Sequence, residues 1–191
     1  YYRFFSMLIF TIQTHTGIGF GTWDIRVDSG SSTAQDGTVY HYARKAIDEA
    51  KKSLEYSTLF YSKNKNDIII NSLINATTLL ASKQSEYQNK LMLLAEILYP
   101  IASEDIVDYK NLKELLKSIQ FEKKENLTLD IDYLVISTQL EKESFYITEG
   151  KKRGLSTQIS KLLGVSRQSV EKAIKTGNIY ELRNITIAIL K

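Results

Sequence analysis

The chain of 191 residues contains no cysteine, one proline and two histidines. Without cysteine it can form neither disulfide bonds nor thiolate metal sites, so the cytoplasm is the default location. A single proline leaves room for long, uninterrupted helices. The longest apolar run, residues 4–12, is interrupted by Ser6 and Thr11 and is far shorter than the roughly 20 residues that a membrane span needs. We therefore expect a cytoplasmic protein that does not cross a membrane.

Hydrophobic residues make up 43% of the chain and charged residues 25%, which is typical of a globular protein with a real core. The apolar residues between positions 1 and 14 recur at helical intervals, and we expect this segment to form a helix that packs on a sheet. The sequence starts directly on this aromatic, apolar segment, so we also expect that a further segment precedes it.

An α/β arrangement is predicted for the next part of the chain. Residues 16–28 alternate with a period of two, which is typical of a strand or a hairpin. Glycines at positions 17, 19 and 21 leave one face without side chains, where another backbone or a ligand can approach closely. Residues 29–37 have the composition of a loop, residues 38–54 the spacing of a helix, and residues 58–62 that of a short strand.

Beyond residue 65 the strand signal stops, and apolar spacing predicts a series of helices. One of these, over residues 82–98, is expected to start with the Ser-x-x-Ser cap formed by Ser82 and Ser85. The other predicted helices cover residues 67–80, 102–120, 129–145 and 181–190, with a charged linker over residues 121–126.

Residues 156–175 have the spacing of two short helices joined by a tight turn. Ser156 is a predicted N-cap of the first helix, and Ser166 of the second. Gly164 lies where the first helix must reverse through a positive φ, which costs glycine nothing. The apolar residues expected inside this pair are Ile159, Leu162, Leu163, Val165, Val170, Ala173 and Ile174. The pattern is that of a helix-turn-helix, which places its second helix in the major groove of DNA.

The residues that this arrangement leaves outside are suited to double-stranded DNA. Early residues of a recognition helix meet base edges, so Arg167 matches the two acceptors of guanine and Gln168 the donor and acceptor of adenine. Between residues 150 and 175, seven basic residues stand against Glu171 alone, a local charge of +6 in a chain of net charge +3. The predicted DNA-binding residues are Lys152, Arg153, Thr157, Gln158, Ser166, Arg167, Gln168, Ser169, Glu171, Lys172 and Lys175.

Three segments resemble the SatD family, bacterial proteins named for acid tolerance. They are the glycine segment at residues 17–21, the loop and helix over residues 34–46, and the terminal helix pair with residues 178–183. In that family a small α/β domain, similar to the palm of nucleotide cyclases, precedes a helix-turn-helix. The resemblance implies DNA binding and transcription regulation. The acidic turn of the family has no counterpart in this sequence, so the resemblance supports no catalytic role. About fifty residues also separate the helix predicted over residues 82–98 from the helix pair, whereas the family has almost none there.

Other candidate sites have weaker patterns. The glycine strand, the loop and the helix after them could meet a nucleotide phosphate, and the candidate residues are Gly19, Gly21, Asp36, Arg44 and Lys45. No metal site is predicted, because the wet face of a hairpin explains Asp24 and Asp28, and because neither His15 nor His41 has a second ligand at metal spacing. We expect no cofactor, and no catalytic set can be assigned.

The sequence thus predicts an α+β fold, with a partial ferredoxin-like or palm-like sheet followed by a helical region that ends in a helix-turn-helix. The predicted domains are an α/β part over residues 1–65, incomplete at its N-terminus, a helical connector over residues 66–126, and a DNA-binding domain over residues 127–191. The favoured function is a homodimeric transcriptional regulator whose α/β part dimerises or senses a ligand. The alternatives are a nucleotide-binding, cyclase-like palm enzyme or sensor, and a scaffold whose helix pair binds protein.

Overall fold

The computed structural model describes residues 6–7, 12–25, 35–101 and 150–190. These residues form an α+β structure with two strands and six helices. In chain order the elements are β1 (Thr16–Gly19), α1 (Thr38–Lys52), β2 (Thr58–Tyr61), α2 (Asp67–Ala81), α3 (Glu86–Leu98), α4 (Leu155–Leu163), α5 (Arg167–Thr176) and α6 (Ile179–Leu190). The helices predicted over residues 102–120 and 129–145 lie outside the described residues, as does most of the segment from 1 to 14.

By packing, the chain divides into two compact units. We call Thr11–Leu79 the αβ unit, and Tyr1–Phe10 together with Leu80–Lys191 the helical unit. The division by packing falls within the last turn of α2, between Leu79 and Leu80. The domain boundaries predicted at residues 65 and 126 stay predictions.

The αβ unit is built on a β–α–β arrangement. Strands β1 and β2 are parallel, with Thr16 opposite Thr58 and Gly19 opposite Tyr61, and α1 makes the connection that a parallel pair requires. The predictions of β2 and α1 are confirmed. The hairpin alternative for residues 16–28 is wrong within the described residues, because β1 ends at Gly19 and pairs with β2, while Ile25 makes only an isolated bridge.

Helix α1 lies directly on the glycines of β1. A Cβ atom at Gly19 would lie 2.2 Å from the carbonyl oxygen of Val39 and 2.5 Å from the amide nitrogen of Ala43. At Gly17 it would lie 2.3 Å from the carbonyl oxygen of Ala43. Real side chains do not tolerate such distances, so only glycine permits this contact. The close approach predicted at this face is therefore made by the backbone of α1.

Side chains at the start of α2 attach that helix to β2. Asn71 accepts a hydrogen bond from the Phe60 amide at 2.7 Å and donates to the Phe60 carbonyl at 2.9 Å, so its amide group pairs with the strand edge as a backbone would. Asp67 accepts from the Ser62 amide at 2.8 Å and from the Ser62 hydroxyl at 2.5 Å. Burial opposes ionisation of Asp67, but the hydrogen bonds from Ser62 together with those from the Asn64 and Lys63 amides outweigh it and hold the pKa of the carboxyl below its usual value.

The core of the helical unit forms around α3. Residues 91–99 are all buried, which is the pattern of a helix surrounded by its own protein. Met7 is 3% exposed and belongs to this helical core, where its carbonyl accepts from Asn89 at 2.8 Å. The expectation that the first segment packs on a sheet is therefore wrong for Met7. Helix α3 begins at Glu86, four residues later than predicted. Its N-cap is Ser85, which forms a capping box with Gln88.

A fully buried arginine ties three parts of the helical unit together. Arg183 of α6 forms an ion pair with Glu96 of α3, and both side chains are excluded from solvent. The same guanidinium donates to the carbonyl of Tyr99 at 2.6 Å and to the carbonyl of Gly150 at 2.8 Å. Because each of these acceptors is matched by an N–H group, the buried charge is compensated, which is the condition for such a pair to be tolerated.

Replacing Arg183 with methionine would remove the donors that its guanidinium supplies to the buried Glu96 carboxylate and to the carbonyls of Tyr99 and Gly150. We expect Arg183→Met to lower the free energy of unfolding by about 3–5 kcal/mol, the range measured when one partner of a buried ion pair is removed. Urea denaturation followed by circular dichroism measures this loss. Lys172→Met removes an exposed cation of α5 and serves as the matched control. Equal stability of the two variants would contradict the role assigned to Arg183.

Candidate nucleic-acid interface

Helices α4 and α5 are joined by a short turn at Gly164. This glycine has φ 61° and ψ 31°, in the left-handed region, and the amide of Val165 donates to the Ser160 carbonyl at 3.1 Å. The Ser166 hydroxyl accepts from the Ser169 amide at 3.1 Å and so caps α5. Both features were predicted from the sequence and are confirmed.

Ser156 does not have the role that the sequence predicted. Helix α4 begins two residues earlier than a cap at Ser156 implies, at Leu155, and its N-cap is Gly154, which has φ 85° and supplies no side-chain hydrogen bond. Ser156 is instead hydrogen-bonded to Tyr180 of α6. Burial raises the pKa of the Tyr180 phenol, and the hydrogen bond from Ser156 partly offsets that rise. Helix α4 starts before Ser156 because the positive φ of Gly154 already directs the chain into the helix.

The helix pair is held by apolar contacts on one side and by two glutamines at its end. Ile159 and Val170 are fully buried, so the inner faces of α4 and α5 meet inside the helical core. At the end of α5, Gln84 donates to the Gly177 carbonyl at 2.6 Å and Gln88 to the Thr176 hydroxyl at 2.8 Å. These glutamines fix the far end of α5, and nothing in the local sequence indicated them.

The outer face of α5 is polar along its whole length. The exposed residues of this helix are Arg167, Gln168, Ser169, Glu171, Lys172, Lys175 and Thr176. Among them, Arg167 and Glu171 form an ion pair, in which Nε of Arg167 lies 2.8 Å from Oε1 of Glu171. The structure therefore brings the predicted base-reading residues, Arg167 and Gln168, together on the solvent-facing start of one helix.

The remaining predicted residues lie at or before the start of α4. Thr157 and Gln158 are half-buried in its first turn, and Arg153 is exposed just before it. Lys152 is half-buried, with Nζ 5.1 Å from the centre of the Tyr99 ring, a cation–π contact that limits its freedom. Gly154 provides no capping side chain at this helix start, and the Leu155 amide donates instead to the Lys152 carbonyl at 3.3 Å.

The candidate nucleotide-binding residues are only partly brought together. Gly21 and Asp36 lie near the start of α1, where Asp36 accepts from the Gly37 amide at 2.8 Å and lies 3.3 Å from His41. Arg44 and Lys45 come about two turns later, which is roughly 10 Å along a helix axis. The face at Gly19 is filled by the backbone of α1, as described above. The ammonium group of Lys45 lies over the Tyr61 ring, 4.5 Å from its centre.

Comparisons with protein-family models, with curated proteins and with solved structures found no match to this chain. Within residues 12–25, 35–101 and 150–190, no three histidine or carboxylate side chains are grouped so that they could hold a metal ion. In the same part of the chain, no helix has the length and apolar character to cross a membrane.

Substitutions at Gly164 test whether the turn between α4 and α5 depends on a positive φ. An L-residue with a Cβ is strained in the left-handed region, so we expect Gly164→Ala to lower the free energy of unfolding by roughly 1–2 kcal/mol. Asparagine tolerates this region better than alanine, so Gly164→Asn should cost measurably less. Thermal unfolding of both variants beside the original chain decides the question. Equal losses, or no loss in either variant, would show that the turn does not depend on a positive φ.

Proposed function

We propose that this chain is a SatD-like DNA-binding protein, a transcriptional regulator in which α4 and α5 form a helix-turn-helix and α5 is the recognition helix. The observation that carries the proposal is the division of α5 into two faces. Val170 and Ile174 are buried in the helical core, whereas Arg167, Gln168 and Lys172 are exposed. Side chains of this kind at the start of an exposed helix match the donors and acceptors of base edges in the major groove.

Electrostatics support a polyanionic partner. Six of the seven basic residues between positions 150 and 175 are exposed, and the seventh, Lys152, is half-buried. In this range Glu171 is the sole acidic residue. A surface of this charge attracts the phosphate backbone, and the N–H groups at the start of α4 can add hydrogen bonds to phosphate oxygens.

The composition of the same surface favours DNA over a protein partner. Helices that dock onto proteins present an apolar stripe, because burial of apolar area drives that association. Every exposed residue of α5 is polar or charged. The scaffold alternative therefore has no apolar contact area on this helix, whereas contacts to phosphate and base edges need none.

For the αβ unit, we propose a partial ferredoxin-like or palm-like sheet that serves dimerisation. The parallel β–α–β arrangement is a component of such sheets and supports the assignment. The proposed dimer uses α2, which carries no charged residue after Asp67 and exposes Ile68, Ile69 and Leu79 to solvent at 74%, 61% and 56%. A second copy can approach this face without charge repulsion, and a two-fold pair supplies the second recognition helix that specific binding to DNA usually requires.

The DNA-binding proposal predicts a strong dependence on salt. Binding of the chain to duplex DNA, measured by fluorescence anisotropy, should weaken steeply between low and moderate salt, because basic residues displace counterions from the phosphates. Lys152→Ala should weaken binding to all sequences alike, whereas Arg167→Ala should mainly reduce the preference among sequences.

Lys65→Ala is the control for this experiment, because Lys65 is an exposed lysine of the αβ unit. It should bind DNA as the unchanged chain does. The proposal is wrong if the chain does not bind duplex DNA, or if its binding is insensitive to salt.

The dimer proposal predicts that a charge on α2 separates the copies. Ile69→Glu should shift the mass measured by size-exclusion chromatography with light scattering from dimer to monomer. Leu54→Glu is the matched control, because Leu54 is a fully exposed leucine outside α2 and its replacement should leave the dimer intact. A monomeric mass for the unchanged chain at tens of micromolar would contradict the proposal.

A further inference from the structure

The ion pair between Arg167 and Glu171 is placed where it contributes little to stability. Arg167 is the first residue of α5, so its positive charge lies at the positive end of the helix dipole, and no acidic residue occupies the first turn. An arginine that precedes its acidic partner by four residues is also the weaker order for a helical ion pair. The two side chains are 64% and 46% exposed, so water screens their attraction. Stabilisation of the helix therefore does not explain this arrangement.

The geometry of the pair has a direct effect on the guanidinium of Arg167. Glu171 accepts the hydrogen bond from Nε at 2.8 Å. Because the guanidinium is planar and rigid, a bond at Nε restricts the directions in which the whole group can point. The edge formed by Nη1 and Nη2 remains for another partner, and this edge has the forked geometry that binds the O6 and N7 atoms of guanine.

We propose that Glu171 is a positioning residue for Arg167, and that together they read a guanine in the major groove. The inference rests on the proposed DNA binding and adds how Arg167 is oriented towards the guanine that its two donors match. Glu171 acts in two ways. It holds the arginine fork in a binding geometry before DNA arrives, which reduces the ordering cost of the contact. Its negative charge also repels phosphates, which weakens binding to unrelated sequences.

The experiment starts with selection of the preferred sequence from a library of random DNA duplexes by the unchanged chain. Dissociation constants are then measured for the selected duplex and for duplexes in which each of its guanines is replaced in turn by adenine. The proteins compared are the unchanged chain, Arg167→Ala, Glu171→Ala, Glu171→Gln, and the double variant Arg167→Ala with Glu171→Ala.

At one guanine, the unchanged chain should prefer the original base by about 5-fold to about 150-fold, the range of a bidentate base contact. Arg167→Ala should lose this preference. Glu171→Ala should lose much of it while binding unrelated DNA more tightly, so the two readouts move in opposite directions. Glu171→Gln keeps an acceptor for Nε and should keep the preference. In the double variant, the preference should be no weaker than in Arg167→Ala alone.

The outcomes separate this inference from the proposed function. If the chain binds no duplex at all, both are wrong. If it binds with a sequence preference, but Glu171→Ala tightens binding to every duplex by the same factor, Glu171 only repels phosphate and the positioning role is rejected. A change of preferred base in Glu171→Gln would show that Glu171 itself contacts a base, which also rejects it. Circular dichroism checks in each case that the total helix content of the variant equals that of the unchanged chain.

Discussion

The buried guanidinium of Arg183 is the contact on which the helical unit depends. It joins α6 to the end of α3 through Glu96 and the Tyr99 carbonyl, and it holds the carbonyl of Gly150. The position of Gly150 matters because the basic residues before α4 follow it directly. One buried charge thus holds Gly150, and with it the start of the positive surface, against the helical core. Asn184 adds a second restraint, because its side chain accepts from the Gly150 amide.

Helix α5 has one buried apolar face and one exposed polar face, and this division connects the packing of the helical unit with the proposed function. Val170 and Ile174 of this helix are buried in the core. Gln84 and Gln88 hold the C-terminal end of α5 through hydrogen bonds to Gly177 and Thr176. The remaining surface is polar, basic and held on a rigid element, and rigid elements position side chains more accurately than loops do. Such a surface is suited to a partner with ordered charges and hydrogen-bonding groups. Duplex DNA has both, and the absence of exposed apolar residues on α5 disfavours a protein groove.

Sequence patterns predicted the structural features that depend on interactions between residues close together in the chain. The turn at Gly164, the cap at Ser166 and the start of α1 were visible in the sequence, because a positive φ, a hydroxyl cap and helical spacing all act within a few residues. Long-range pairing was not visible. The role of Arg183 depends on Glu96, which is 87 residues away, and the parallel partner of β1 lies beyond a whole helix.

The most direct test of the account is a nuclear magnetic resonance titration of the chain with duplex DNA, followed through the backbone amides. The account predicts that the largest shifts occur at residues 152–158 and 166–172, at the starts of α4 and α5, and that amides of the αβ unit respond little. Shifts confined to the αβ unit, or no shifts with excess DNA at low salt, would contradict it.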